Sequence, residues 1–236
     1  MNAGPFVFLA SFFALAVSWL GFVLAPQLQL GNRQQVESRT TGDVYPHMRA
    51  GMARQGEQVY RANGCNACHT QQVRYKGFGG DYARGWGGRD SVVQSVDEDY
   101  LYDRPAMLGT IRVGPDLANI GLRQTNANIL LQHIYSPTNS FPHSVMPPYR
   151  YLFEKGRKLA IGQKASDDSV AVEKGYEIVP TDEARALAAY LISLRQNELL
   201  YPETPPLTKP TNAVPATNAV KAAASTNNVN TNTPAK

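Results

Sequence analysis

At 236 residues the chain has room for one domain or two small ones. Its net charge of +4 is no nucleic-acid signature, because Lys209, Lys221 and Lys236 against Glu203 put +2 on the C-terminal tail, and the remaining +2 lies on residues 31–201. Both of its cysteines fall in one six-residue run, so what chemistry they carry is carried together.

From Pro5 to Ala25 there are 21 residues without a charge, rich in Phe, Leu, Val and Ala. A spanning helix needs about 20 apolar residues, and Trp19 and Pro26 suit its interfacial end. A cleaved signal peptide is the competing reading. Against it stand an n-region without Lys or Arg, an apolar run longer than the usual ~7–15 residues, and the lack of an A-x-A site. Residues 1–30 are therefore expected to be a retained membrane anchor and residues 31–46 a linker. Arg33 and Arg39 follow the apolar run, against the positive-inside bias, but long domains translocate largely regardless of nearby charge.

Residues 47–64 read as a helix. Met52, Gly56, Val59, Tyr60 and Asn63 share one face at 3.6-residue spacing, Gly64 can stop the helix, and Gly56 is small enough to admit a second helix. It leads into Gly64-Cys65-Asn66-Ala67-Cys68-His69, the C-x-x-C-H pattern of haem c attachment. Two thiols one turn apart can each add to a haem vinyl group, and the imidazole behind them then lies beneath the iron. A redox C-x-x-C would want a thioredoxin-like βαβ setting, which is not apparent. A structural zinc would have to find four ligands among Cys65, Cys68, His47, His69, His133 and His143.

The stretch Thr70–Val113 is too long for a plain connection and is expected to be functional or partner-facing. It holds six glycines between Gly77 and Gly88 but no G-x-G-x-x-G, since Tyr82 occupies the position of the third glycine. Gly114-Pro115-Asp116-Leu117 follows, and the Pro115 carbonyl is a reasonable acceptor for the outer N–H of His69, with a simple turn as the competing reading. Arg112 reads either as a partner for a haem propionate or as a surface arginine. Asn126–Tyr135 reads as a helix ended before Pro137. Met146, in Pro142-His-Ser-Val-Met-Pro-Pro-Tyr149, is the best second axial ligand, because flanking prolines stiffen the backbone and Met/His ligation raises potential. His143, His133 and Met107 compete with it. Asp182 to about Leu200 reads as a second strong helix, capped by Thr181, with Ala184, Leu187, Ala188, Leu191 and Leu194 as its apolar stripe. Residues 202–236, rich in Pro, Thr, Asn and Ala, are expected to be a disordered tail.

Taken together, Cys65-Asn-Ala-Cys-His-Thr-Gln-Gln-Val-Arg74, Tyr102-Asp-Arg-Pro105, Arg112-Val-Gly-Pro-Asp-Leu117, His133-Ile-Tyr-Ser-Pro137 and Pro142-His-Ser-Val-Met-Pro-Pro-Tyr149 resemble the mono-haem subunit II of cbb3-type cytochrome c oxidase. The match in order and spacing runs from residue 47 to about 153. The family usually has a Trp-His pair where this chain reads Asn128-Ile129, and the 77–88 stretch looks like an insertion. The resemblance implies a mainly α fold: one N-terminal transmembrane helix and a class I-like cytochrome c domain over 47–201 with long loops. It implies one covalent haem c on Cys65 and Cys68, with His69 and Met146 axial. It also implies a bacterial inner-membrane subunit with its haem domain on the periplasmic side. Such a subunit relays electrons from another cytochrome c, a partner subunit or a soluble donor, to a membrane haem–copper subunit. The small subunit of nitric oxide reductase and a free-standing anchored carrier are the alternatives. No paired carboxylate or Ser/His/Asp arrangement argues for bond-making chemistry.

Overall fold

The computed structural model describes residues 3–31, 33–39, 41–49, 51–75, 77–87, 91–92, 94–160, 162–196, 198, 200 and 207–208. The N-terminal apolar run forms α1 (Gly4–Trp19), a π-helical turn (Leu20–Leu24) and α2 (Ala25–Leu30). Pro26 explains the widened turn. It has no N–H, and its ring would collide with the carbonyl four residues back, so the Ala25 N–H reaches Leu20 O instead. The helix over Gly4–Gln29 contains an 18-residue window of mean hydropathy 2.3 and is long and apolar enough to cross a membrane. Its large side chains, among them Phe6, Phe13 and Phe22, are exposed rather than packed on the rest of the chain.

Beyond it the elements run β1 (Val36–Glu37), β2 (Val44–Tyr45), α3 (Gly51–Ala62), β3 (Ser91–Val92), α4 (Ile120–Arg123), α5 (Ala127–Tyr135), α6 (Pro137–Ser140), β4 (Phe153–Lys158), β5 (Ala171–Glu173), β6 (Tyr176–Pro180), α7 (Asp182–Ser193) and β7 (Leu207–Thr208). Within 31–46, expected as a linker, described residues on either side of a short hairpin contact the domain. β1 pairs antiparallel with β2, buried Tyr45 donates its hydroxyl to Asp99 Oδ1 at 2.6 Å, and Arg33 donates to Glu98 Oε1 at 2.9 Å. Of the tail expected over 202–236, only Leu207–Thr208 lies within the described residues, and there the backbone pairs with Ser91–Val92.

The architecture hangs on α3 crossing α7. Gly56 lies at the crossing: a methyl group in place of its hydrogen would stand 1.9 Å from Ala186 O and 2.8 Å from Tyr190 Cβ. One turn on, the Tyr60 and Tyr190 rings pack with centroids 5.3 Å apart. The buried stripe begins at Gly56, whereas Met52, expected on the same face, is exposed. α7 is capped as its sequence predicts, with Thr181 Oγ1 accepting the Ala184 N–H at 3.3 Å, and Ala184, Leu187, Ala188, Leu191 and Leu194 are buried. α5 starts on Asn126, whose side chain accepts the Asn128 N–H at 2.9 Å, and it contributes Leu130, Leu131 and Ile134 to the same core.

Against the expected mainly α fold, β4, β6 and β5 form a three-stranded antiparallel sheet, in that order, between α6 and α7 in the chain. The β5–β6 hairpin turns on Lys174 and Gly175, both with positive φ (51° and 79°), as a two-residue type I′ connection requires. Phe153 and Ile178 bury one row of the sheet against the helical core. The Thr181 N–H and hydroxyl both donate to Leu152 O, at 3.1 and 2.8 Å, which ties the start of α7 to the segment after Tyr149.

Replacing Gly56 with Ala forces the two backbones apart. This is expected to cost about 2 kcal/mol, the scale of core overpacking, and to lower Tm by about 4–8 °C in thermal unfolding. An unchanged Tm would show that the crossing tolerates a side chain.

Candidate functional site

α3 delivers the C-x-x-C-H run directly. Gly64, at φ 67°, takes the left-handed conformation that ends the helix, and its N–H bonds to Arg61 O at 3.1 Å. A 3-10 turn over Cys65–Ala67 follows, closed by the Cys68 and His69 N–H groups on Cys65 O at 3.2 and 3.0 Å. Cys65, Cys68 and His69 line one side of a cleft of about 620 Å³, and the Pro142–Pro147 segment with Met146 lines another.

The His69 ring is held from its outer edge. Its Nδ1 lies 2.8 Å from Pro115 O. A carbonyl oxygen only accepts, so Nδ1 carries the proton and the lone pair of the neutral ring is left on Nε2. Burial pushes the His69 pKa below its ordinary value and so favours that neutral form, against the contrary pull of the Pro115 carbonyl. Two backbone bonds fix the acceptor in place: Gly114 N–H to Cys68 O at 3.0 Å and Leu117 N–H to Thr70 O at 2.7 Å. Gly114 permits the approach, because a Cβ there would lie 2.2 Å from His69 Cε1.

The opposite wall is rigid for a different reason. Ser144 and Tyr149 N–H groups bond to Phe141 O and Ile134 O at 2.9 and 3.0 Å, and the Met146 N–H bonds to Ser144 Oγ at 3.2 Å. Met146 is half-buried and packs against the main core. His143 and His133 line the same cleft. His133 sits edge-on to Phe141, centroids 5.5 Å apart, with a buried Nδ1 that has no hydrogen-bond partner. Burial and then the nearby His69 hold its pKa below the ordinary range. Met107, the other competing ligand, is 2% exposed inside the hydrophobic core and does not line the cleft.

Sequence reasoning missed the surroundings of the motif. Tyr149 faces Cys65: burial and then the nearby Cys65 push the Tyr149 hydroxyl up to about 12, while burial pushes the Cys65 thiol up to about 11 against the opposing Tyr149 hydrogen bond. Arg112 is not an ordinary surface arginine. It is largely buried, with its guanidinium on the Asp81 carboxylate and, at 2.8 Å, on Thr70 Oγ1. Asp116, fully buried, accepts from Thr70 Oγ1 and the Gln72 N–H at 2.6 and 2.8 Å. No sequence spacing connects positions 70, 81, 112 and 116; only the folded loop does.

A redox or metal-binding thiol needs a lowered pKa. Cys65 is pushed the other way, from 9.0 to about 11, so its proton is held between those values in the folded chain alone. Its contribution to stability therefore falls as pH rises through that window. Iodoacetamide at pH 8 on haem-free chain is expected to modify exposed Cys68 and leave Cys65 largely unreacted until pH approaches 11. Equal alkylation rates at pH 8 would refute a half-buried, neutral Cys65.

Among curated proteins, none matches the chain. Residues 3–199 match the family model described as cytochrome C oxidase, mono-heme subunit/FixO. That match takes in the apolar helix, the C-x-x-C-H turn and both walls of the cleft, and it makes haem-based electron transport in an oxidase the setting for them. The chain belongs to the family of mono-haem cytochrome c oxidase subunits.

Proposed function

We propose that this subunit holds a single covalent haem c in the cleft between the Cys65–His69 turn and the Pro142–Tyr149 segment. Cys65 and Cys68 would carry its thioethers, with His69 and Met146 as its two axial ligands. The observation that carries the reading is the His69 ring, pinned by Pro115 so that its Nε2 lone pair is free for a metal, on the wall of a cleft whose other wall bears Met146. The lining also fits an apolar macrocycle: Val113, Phe141 and Val145 are exposed large side chains at the cleft, which a porphyrin would cover. The raised pKa of the Cys65 thiol argues against disulfide or zinc chemistry there.

Bound there, haem supplies a reversible one-electron couple at iron. The protein's part is to keep that couple fast and in place. The Pro115 carbonyl orients His69, the proline-stiffened segment fixes Met146, and the core beneath α3 and α7 excludes water from one side. A site that moves little between oxidation states adds little reorganisation to the transfer. We place the domain, a class I-like cytochrome c, on the periplasmic side of a bacterial inner membrane, tethered by Gly4–Gln29. It would take electrons from a further cytochrome c and pass them to a haem–copper catalytic subunit.

A pyridine haemochrome spectrum of the purified protein is expected to show one haem c per chain, absent from the Cys65→Ser/Cys68→Ser double variant. Met146→Leu is expected to lose the near-infrared sulfur–iron band and to lower the potential on the order of 0.1 V, a fraction of the roughly 0.8 V that axial ligation spans. An unchanged band and potential would remove Met146 from the site. Purification in mild detergent is expected to bring down a subunit containing copper and high-spin haem; a non-haem-iron subunit, or none, would reassign the partner. N-terminal sequencing of the same preparation is expected to find the apolar segment retained, and a start near Leu28 would refute the anchor.

A further inference from the structure

The glycine-rich 77–88 stretch has no role in the reading above, yet its described part does not stand free. Asp81 is 2% exposed, and its carboxylate is held by Arg112 and by the Arg74 N–H at 2.8 Å. Trp86, also buried, is covered by two guanidinium groups, Arg84 at 4.8 Å and Arg112 at 5.2 Å from the ring centre. The loop is thus fastened at Asp81 and Trp86 to one side chain, Arg112.

Arg112 has a second set of partners. Its Nε donates to Thr70 Oγ1 at 2.8 Å, its Nη2 donates to Gln72 O at 2.6 Å, and Nη2 lies 3.7 Å from Asp116 Oδ2. Asp116 is bonded in turn to Thr70 Oγ1, and its other oxygen takes the Ala118 N–H at 2.8 Å. Thr70 is the residue after His69, and Asp116 is the residue after Pro115. The two partners of the His69–Pro115 hydrogen bond therefore sit one residue upstream of a Thr70–Asp116–Arg112 knot. Its charges are nearly dry, with 13% of the Arg112 side chain and none of Asp116 exposed. In such surroundings a planar five-donor guanidinium spaces its partners far more rigidly than a point charge can.

We infer that Arg112, clamped by Asp81 of the glycine-rich loop, is a positioning residue for the proximal ligand: it sets the spacing of the Thr70 and Asp116 backbones, and so the strength of the His69 Nδ1–H···O=C Pro115 bond. The inference rests on His69 being the haem ligand proposed above. A shorter bond gives the imidazole more anionic character and stabilises ferric iron, and a looser bond does the reverse. The loop then acts on the haem without touching it.

The test uses the full-length holoprotein with Arg112→Lys and Asp81→Asn. Arg112→Lys keeps the charge and loses the fork, so it separates positioning from simple electrostatics. Low-temperature EPR of the ferric form and a redox titration are the readouts. The expected result is the same change of g-values in both variants, with an upward shift of potential and one haem c retained per chain. Wild-type g-values and potential in Arg112→Lys would overturn the proposal, as would a shift in Asp81→Asn alone, which charge removal by itself explains. A wild-type protein without covalent haem would sink the underlying haem reading instead, and the haemochrome assay distinguishes that failure from the other.

Discussion

The backbone-to-backbone approach of α3 and α7 at Gly56 is the constraint from which the rest follows. Where a helix carbonyl comes within 1.9 Å of the place a Cβ would occupy, no side chain fits, and the pair can close only around glycine. That contact brings Tyr60 onto Tyr190 and sets the direction in which α3 points when it ends at Gly64. The C-x-x-C-H turn starts on the next residue. The position of the cysteines is therefore inherited from a helix crossing two turns away, not from their own interactions.

From that turn outward, hydrogen bonds cross-link the described residues of the chain. The long Thr70–Val113 stretch has few regular elements, and its backbone groups find partners across it: Gln71 N–H on Leu108 O, Thr110 N–H on Asn66 O, Ser95 N–H on Val73 O. Buried carboxylates do the rest. Asp116 and Asp81 take backbone N–H groups and Arg112, and Asp99 takes the Tyr45 hydroxyl and the Val96 N–H. Asp99 is still pushed up to about 6, because burial outweighs those two bonds. For an electron-transfer site this is a useful way to build a shell. Fixed dipoles and paired charges on a packed scaffold have little freedom to reorient when one electron arrives.

Much of this was legible beforehand, for local reasons. The apolar run of Pro5–Ala25, the α7 cap on Thr181, the α5 helix ended before Pro137 and the stop at Gly64 are each set by residues within one or two turns. The Pro115 carbonyl could be picked out because metal-bound histidines want such an acceptor, and it does lie at hydrogen-bond distance from His69. The β4–β6–β5 sheet was passed over, although its hairpin left a trace. Val170-Ala-Val-Glu and Tyr176-Glu-Ile-Val alternate around Lys174-Gly175, the two-residue turn they require. The strands are short and bury one row, too little apolar periodicity to stand out.

What the sequence determined by itself is therefore a local grouping and an apolar segment: which two thiols and which imidazole stand together, and a helix long enough to span a membrane. Those depend on spacing along the chain and on the solubility of one segment, which composition and order state outright. Tertiary structure alone decided where Arg112 goes, that described residues within 31–46 contact the domain, and that Met107 belongs to the core while Met146 faces the cleft. Each of these turns on a buried polar or soft group finding partners 30 or more residues away. A desolvated charge must be paired, and the pairing is chosen by the fold, not by sequence neighbours.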